Sequence, residues 1–106
     1  MDTAEETKRL PFPDRSEIRI ESVLQALADP VRLAMVRQLA GADEISCGGF
    51  EVAVSKSTLT HHLRTLRESG ITITRQQGTT RFSALRRDDL DVLFPGLLDG
   101  VLAARQ

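Results

Sequence analysis

A mainly α protein carrying one small β-hairpin (α+β) is the fold class that this sequence predicts, and three observations predict it. Aromatic residues are scarce, with four Phe and no Trp or Tyr, so aliphatic side chains must fill the core, which suits helix packed on helix. Apolar residues recur at three- and four-residue spacing over most of the chain. Between Gly70 and Arg86 the period changes to two, in the β-branched segments ITITR and TRFSAL.

At 106 residues the chain predicts one modest core. Residues 1–15 read as a flexible N-terminal tail, because Pro11 and Pro13 deny it a helix. Residues 16–106 read as a single domain. Ser22 followed by Gln25 resembles a capping box, and Val23, Leu24 and Leu27 then give one apolar face that ends near Asp29. Asp29-Pro30 restarts the chain as an N-cap followed by Pro at the first helical position. Val31, Leu33, Ala34, Val36 and Leu39 continue that helix to Gly41.

Residues 42–54 predict an irregular segment with one helical turn, since Gly48-Gly49 interrupts the pattern. Ser55 caps the next helix and Gly70 ends it. Gln76, Gln77 and Gly78 supply the turn of the hairpin. Asp88-Asp89 opens a last helical region, where acids complement the helix dipole. Pro95 kinks or restarts it. The order is helix, helix, irregular piece, helix, hairpin, helix. A helix-turn-helix followed at once by a basic hairpin is a winged helix.

Charge is unevenly spread. Residues 1–54 hold six basic and ten acidic side chains. Residues 55–87 hold Lys56, Arg64, Arg67, Arg75, Arg81, Arg86 and Arg87 against Glu68 alone. A basic third inside a chain of net charge −1 marks one face for a polyanion.

The stretch SKSTLTHHLRTLRESG, residues 55–70, carries that face. At 100° per residue, Leu59, Leu63 and Leu66 fall within about 60° of arc and form the buried stripe. Ser57, Thr60, His61 and Arg64 lie on the other side. His62 flanks the leucines and reads as a half-buried packing residue. An ordinary solvated helix face mixes Glu with Lys, but the first two and a half turns here hold no acid. Hydroxyls, an imidazole and a guanidinium suit base edges and phosphates of a major groove. Arg75, Thr79, Thr80 and Arg81 on the hairpin suit the adjacent minor groove or backbone.

Rival chemistries find little support. His61 and His62 are adjacent and diverge on a helix, with no HxxxH or CxxC spacing nearby, so no metal site and no cofactor is predicted. No nucleophile, orienting acid or phosphate loop accompanies them, so no catalytic residues and no enzyme are predicted. Cys47, the only cysteine, cannot form an intramolecular disulfide. It leaves a redox-responsive regulator as an alternative. A winged-helix module that binds protein instead of DNA is another. No signal-type segment or bilayer-length apolar run occurs, so no membrane is predicted and the expected location is cytoplasmic.

ALADPVRLAMVRQLA followed by SKSTLTHHLRTLRESGI resembles the ArsR-type (arsenic-repressor) family of bacterial winged-helix transcription regulators. The likeness covers residues 22–87 well and 88–104 loosely. It implies a sequence-specific transcriptional repressor that binds double-stranded DNA at an inverted-repeat operator. The same resemblance implies a homodimer formed by the first and last helices. Leu24, Leu90, Leu93, Phe94, Leu97, Leu98, Val101 and Leu102 would then lie at that interface. Lys56, Ser57, Thr58, Thr60, His61 and Arg64 would meet DNA from the recognition helix, and Thr79 and Arg81 from the wing.

This chain departs from many members in its sensing residues. EISCGGFE has one Cys where a Cys-x-Cys would bind metal, and the last helix has no His. The segment before Ser55 is also short, so the first helix of the helix-turn-helix is expected to be stunted. A small-molecule effector remains open.

Overall fold

The computed structural model describes residues 7–104. The described residues form five α-helices and four short strands. In chain order these are β1 (Thr7–Arg9), α1 (Ile20–Leu27), α2 (Pro30–Ala40), β2 (Ile45–Ser46), α3 (Lys56–Glu68), β3 (Thr72–Gln77), β4 (Thr80–Leu85), α4 (Arg87–Leu93) and α5 (Leu97–Ala103). The strands make one antiparallel sheet in the order β1-β3-β4-β2. This is a winged helix-turn-helix, with β3 and β4 as the wing.

The helices pack through aliphatic side chains, as the scarcity of aromatics demands. Val23 and Leu27 of α1, Met35, Val36 and Leu39 of α2, Leu66 of α3, Leu90 of α4 and Leu98 of α5 share one core with Ile18, Phe50 and Ile71. Several local signals act where the sequence puts them. Asp29 Oδ1 accepts from the amides of Val31 at 2.8 Å and Arg32 at 3.0 Å, with Pro30 starting the helix. Ser55 caps α3 by accepting from Thr58 N at 3.2 Å.

Gly70 ends α3 in a left-handed conformation, φ 92°. Its N–H bonds to the Arg67 carbonyl at 3.1 Å and that of Ile71 to the Leu66 carbonyl at 3.0 Å, the two bonds of a Schellman motif. The motif turns Ile71 into the core and sends the chain directly into β3. Gly41 works differently: it follows α2 at φ −97°, outside the left-handed region.

Elsewhere local cues mislead. Ser22 does not cap α1; the helix starts at Ile20 with Arg19 as N-cap, so Ser22 sits inside the first turn. The wing turn is Gly78-Thr79, one residue later than predicted, because Gln76 and Gln77 pair in register with Arg81 and Thr80. Gly78 has φ 61°, the positive φ that a two-residue hairpin needs at its first position. The last region is two helices: Pro95 breaks it, and Gly96 at φ 83° starts α5. Residues 42–54 contain β2, which the sequence did not suggest, along with the single helical turn expected there, a 3-10 turn at Cys47–Gly49. Gln38 pins the chain beyond that turn, donating to the Glu51 carbonyl at 3.0 Å and accepting from its amide at 2.9 Å.

The largest departure concerns the predicted tail. Residues 1–6 lie outside the described residues, but residues 7–15 are fastened to the domain. β1 pairs along β3, with Thr7 opposite Gln77 and Arg9 opposite Arg75. Leu10 N donates to the Thr74 carbonyl at 3.0 Å. Arg86 holds the Pro13 carbonyl at 2.8 Å, and Arg15 holds Asp89 at 2.7 Å. The hairpin expected to stand alone is therefore the centre of a four-stranded sheet.

Candidate nucleic-acid interface

Three leucines decide which way α3 faces. Leu66 is fully buried, and Leu59 and Leu63 pack partly buried against the core. Lys56, Ser57, Thr58, Thr60, His61 and Arg64 are all exposed, so the opposite face is open along its first two turns. The first turn contains no acid, and its N-terminal amides add positive potential.

Hydrogen bonding inside the helix limits what each group can offer. Thr60 Oγ1 donates to the Lys56 carbonyl at 3.0 Å, so it faces outward as an acceptor. Thr58 Oγ1 accepts from Ser55 Oγ at 3.0 Å, which leaves its own proton to donate. Arg64 lies 3.3 Å from Glu68, with side chains 68% and 63% exposed. A pair this open contributes only about 0.3–0.5 kcal/mol, so a phosphate or a guanine edge can take the guanidinium from it.

The two histidines separate. His61 is exposed, whereas His62 is only 7% exposed, more deeply buried than a half-buried packing residue. Arg32 Nη1 approaches His62 Nδ1 at 3.1 Å. The ring centroids of His61 and His62 are 5.7 Å apart and tilted. Among the described residues, no group of three or more His, Cys, Asp or Glu is placed to hold a metal ion.

Comparison with known proteins agrees with this geometry. Residues 27–75 match the family model described as a helix-turn-helix domain. The uncharacterized HTH-type transcriptional regulator YceK of Bacillus subtilis (strain 168) is 39% identical over 80 residues, which is 73% of this chain and 80% of that protein. NolR from Sinorhizobium fredii superposes with a TM-score of 0.62 at 28% identity, covering 79% of this chain and 85% of that one. A solved ArsR family transcriptional regulator superposes with a TM-score of 0.65 at 20% identity, covering 91% of this chain and all of that one, which supports the fold alone.

The chain belongs to the HTH-type transcriptional regulators. It carries their helix-turn-helix DNA-binding domain.

On the regulator's wing, the basic residues are not equivalent. Thr79 and Arg81 are exposed. Arg81 Nε donates to Gln76 Oε1 at 3.1 Å, and Gln76 Nε2 donates to the Gly78 carbonyl at 3.2 Å, so Arg81 is held beside the turn. Arg75, counted with the basic residues of the hairpin, is spent inside the sheet. Its Nε donates to Glu44 Oε2 at 3.0 Å, its Nη2 contacts Glu44 Oε1, and its Nη1 donates to Gln77 Oε1 at 2.6 Å. Its guanidinium also stacks 4.3 Å over Phe82.

Lys8 is a candidate that sequence reasoning missed. Lys8, Gln76 and Arg81 stand in register across β1, β3 and β4, so Lys8 shares a face with Arg81. Only the doublet Lys8-Arg9 hints at it. The pairing joins residues almost seventy positions apart, which no local pattern encodes.

Cys47 is half-buried in the regulator, and burial pushes its thiol above the ordinary range while the nearby Arg81 charge pulls the other way. A thiol kept protonated is a poor nucleophile. Of the apolar residues that the resemblance assigns to a dimer interface, Leu90 and Leu98 are each 2% exposed and serve this chain's own core. Leu93, Phe94, Leu97, Val101 and Leu102 are partly buried, and Leu24 is 49% exposed. No helix among the described residues is long and apolar enough to cross a membrane.

Proposed function

We propose that this chain is a homodimeric cytoplasmic repressor that lays one α3 into each of two successive major grooves of an inverted-repeat operator. The observation that carries this reading is the open face of α3, where Lys56, Ser57, Thr58, Thr60, His61 and Arg64 are all exposed, as is Arg81 on the wing. Ser57, His61 and Arg64 read base edges; Lys56, Thr58 and Thr60 hold phosphates near the helix start. Thr79 and Arg81 follow the backbone or minor groove next door.

Two copies are supported by apolar surface that one copy leaves uncovered. Ile20 and Leu24 stand one turn apart on α1, and Val92 on α4 is 59% exposed. Val23, Ala26 and Leu27 bury the adjoining face of α1, so its apolar surface continues onto an outer strip, Ile20 and Leu24, that water would otherwise wet. A two-fold axis through α1 and the last helices covers it, and half-sites then repeat about 34 Å apart. A promoter so occupied excludes polymerase.

Selection from random DNA duplexes tests this reading. A palindromic consensus with half-sites about one helical turn apart supports it. Recovery of no consensus, from a preparation shown to be dimeric by sedimentation, overturns it in favour of a protein-binding module.

A further inference from the structure

A cleft of about 460 Å³ lies where the N-terminal arm, the base of the wing and the start of α4 meet. Phe12, Ile73 and Leu85 give it an apolar wall, and Arg9 and Arg86 line it as well. Six of its nine lining residues are charged, so the cleft offers a limited carbon surface set among fixed polar groups, in the size range of a small-molecule site.

The charged groups are not equally available. Arg86 has a side chain only 6% exposed, an expensive place for a cation. Its Nε binds Asp89 at 3.0 Å and its Nη1 the Pro13 carbonyl at 2.8 Å. Its Nη2 has no partner among the described residues. Arg9 is exposed and likewise has no ion-pair partner among them. Arg15 and Arg87 also line the cleft, but they are spent on Asp89 and Asp99 at 2.7 and 2.9 Å. Asp88, which also lines the cleft, sets a limit: a single negative charge is favoured, and a dianion meets repulsion. Phe12 lies 5.3 Å from the Arg86 guanidinium and is 38% exposed, an aromatic face left open beside a donor.

We propose that this cleft binds a small amphipathic organic monoanion, an aromatic or branched aliphatic carboxylate. Its carboxylate takes Arg9 and the spare Nη2 of Arg86, and its carbon skeleton lies against Phe12, Ile73 and Leu85. A DNA phosphate would use the arginines but not the apolar wall. Because the cleft joins the wing base to α4, an occupant bears on how the wing sits against the last helices. That effector role rests on the regulatory reading, whereas binding itself does not.

Calorimetric titration of the intact chain, without DNA and at matched ionic strength, tests the proposal with sodium benzoate as probe. Benzyl alcohol and inorganic phosphate are the comparisons. Saturable binding of one benzoate per chain is expected. Benzyl alcohol binds at least about tenfold more weakly, and Arg9→Ala weakens benzoate about tenfold. Phe12→Ala, which keeps every guanidinium, also weakens it. No saturation by about 50 mM benzoate overturns the proposal. So does phosphate binding as tightly as benzoate, which marks a bare anion site, or benzoate binding that neither substitution changes.

Discussion

Arg32 Nη1 donates to Nδ1 of His62 across 3.1 Å, while Arg32 Nε donates to the Ala26 carbonyl at 2.7 Å. A guanidinium can only donate, so Nδ1 is the acceptor and the ring proton sits on Nε2. One side chain on α2 therefore ties the end of α1 to the inner side of α3. The arginine of ADPVRL and the second histidine of THHL, far apart in sequence, are two halves of one contact. It is expected to hold the angle at which α3 presents its open face.

Replacing Arg32 with Ala is expected to cost about 1–3 kcal/mol of stability, because it orphans a buried acceptor on His62 and removes the link to Ala26. DNA affinity should fall as well, although Arg32 lies behind the recognition surface. Urea unfolding alongside operator binding checks both. Unchanged affinity would mean that α3 keeps its angle without the tie.

Gly70 should tolerate no side chain. A Cβ there would stand 2.5 Å from Ile18 Cγ1, on a backbone with φ 92°. Gly70→Ala is expected to cost about 2 kcal/mol or more, since strain and overlap add. Gly48→Ala is the contrast, because a Cβ at Gly48 meets nothing within 4 Å. Thermal unfolding of the two variants should separate them clearly.

The wing arginines should divide by role. Arg75→Ala is expected to lower the melting temperature, because it frees Glu44 and uncovers Phe82, while leaving the salt dependence of DNA binding nearly unchanged. Arg81→Ala should leave the melting temperature alone, weaken binding to all sequences and reduce the salt slope by about 1. The opposite pattern would place Arg75, not Arg81, on the phosphates.

Acid should loosen the fold through named carboxylates. The Arg32 amide, then the Val31 amide, hold Asp29 below the ordinary carboxylate range against the opposing effect of burial. The Arg15 side chain, with help from Arg86, does the same for Asp89. A folded pKa below the unfolded one gives stability that is present above the unfolded value, about 3.9. That stability is lost as pH falls through the folded value. Asp29→Asn keeps an acceptor but drops the charge. Wild type and variant should differ at neutral pH and converge below about pH 4, as read by denaturant midpoints. A gap that stays constant down to pH 3 would locate the acid sensitivity elsewhere.

The parts legible in the sequence are those that neighbours in the chain determine. α3 runs from its Ser55 cap to Gly70, and α2 starts at Asp29-Pro30, because caps and left-handed glycines act within four residues. The exposure of Ser57, Thr60, His61 and Arg64 follows from helical period, whereas Lys56 and Thr58 enter only through the family resemblance. What sequence reasoning missed depends on distant partners. β1 and β2 have three and two residues, too few for a pattern, and exist because β3 and β4 offer their edges. Arg75 reads as an exposed wing cation until Glu44, thirty-one positions earlier, is found on it. Ser22 has the right chemistry for a cap, but α1 begins earlier at Ile20, with an N-cap, Arg19, whose side chain makes no capping bond.

The central claim is that the open face of α3 reads DNA, and operator binding measured across a salt series tests it most directly. Between about 50 and 200 mM salt, affinity should fall on the order of 10³-fold, and Arg64→Ala should lose about 1–3 kcal/mol of preference for the operator over unrelated duplex. A response flat in salt, with Arg64→Ala discriminating as well as wild type, would contradict it.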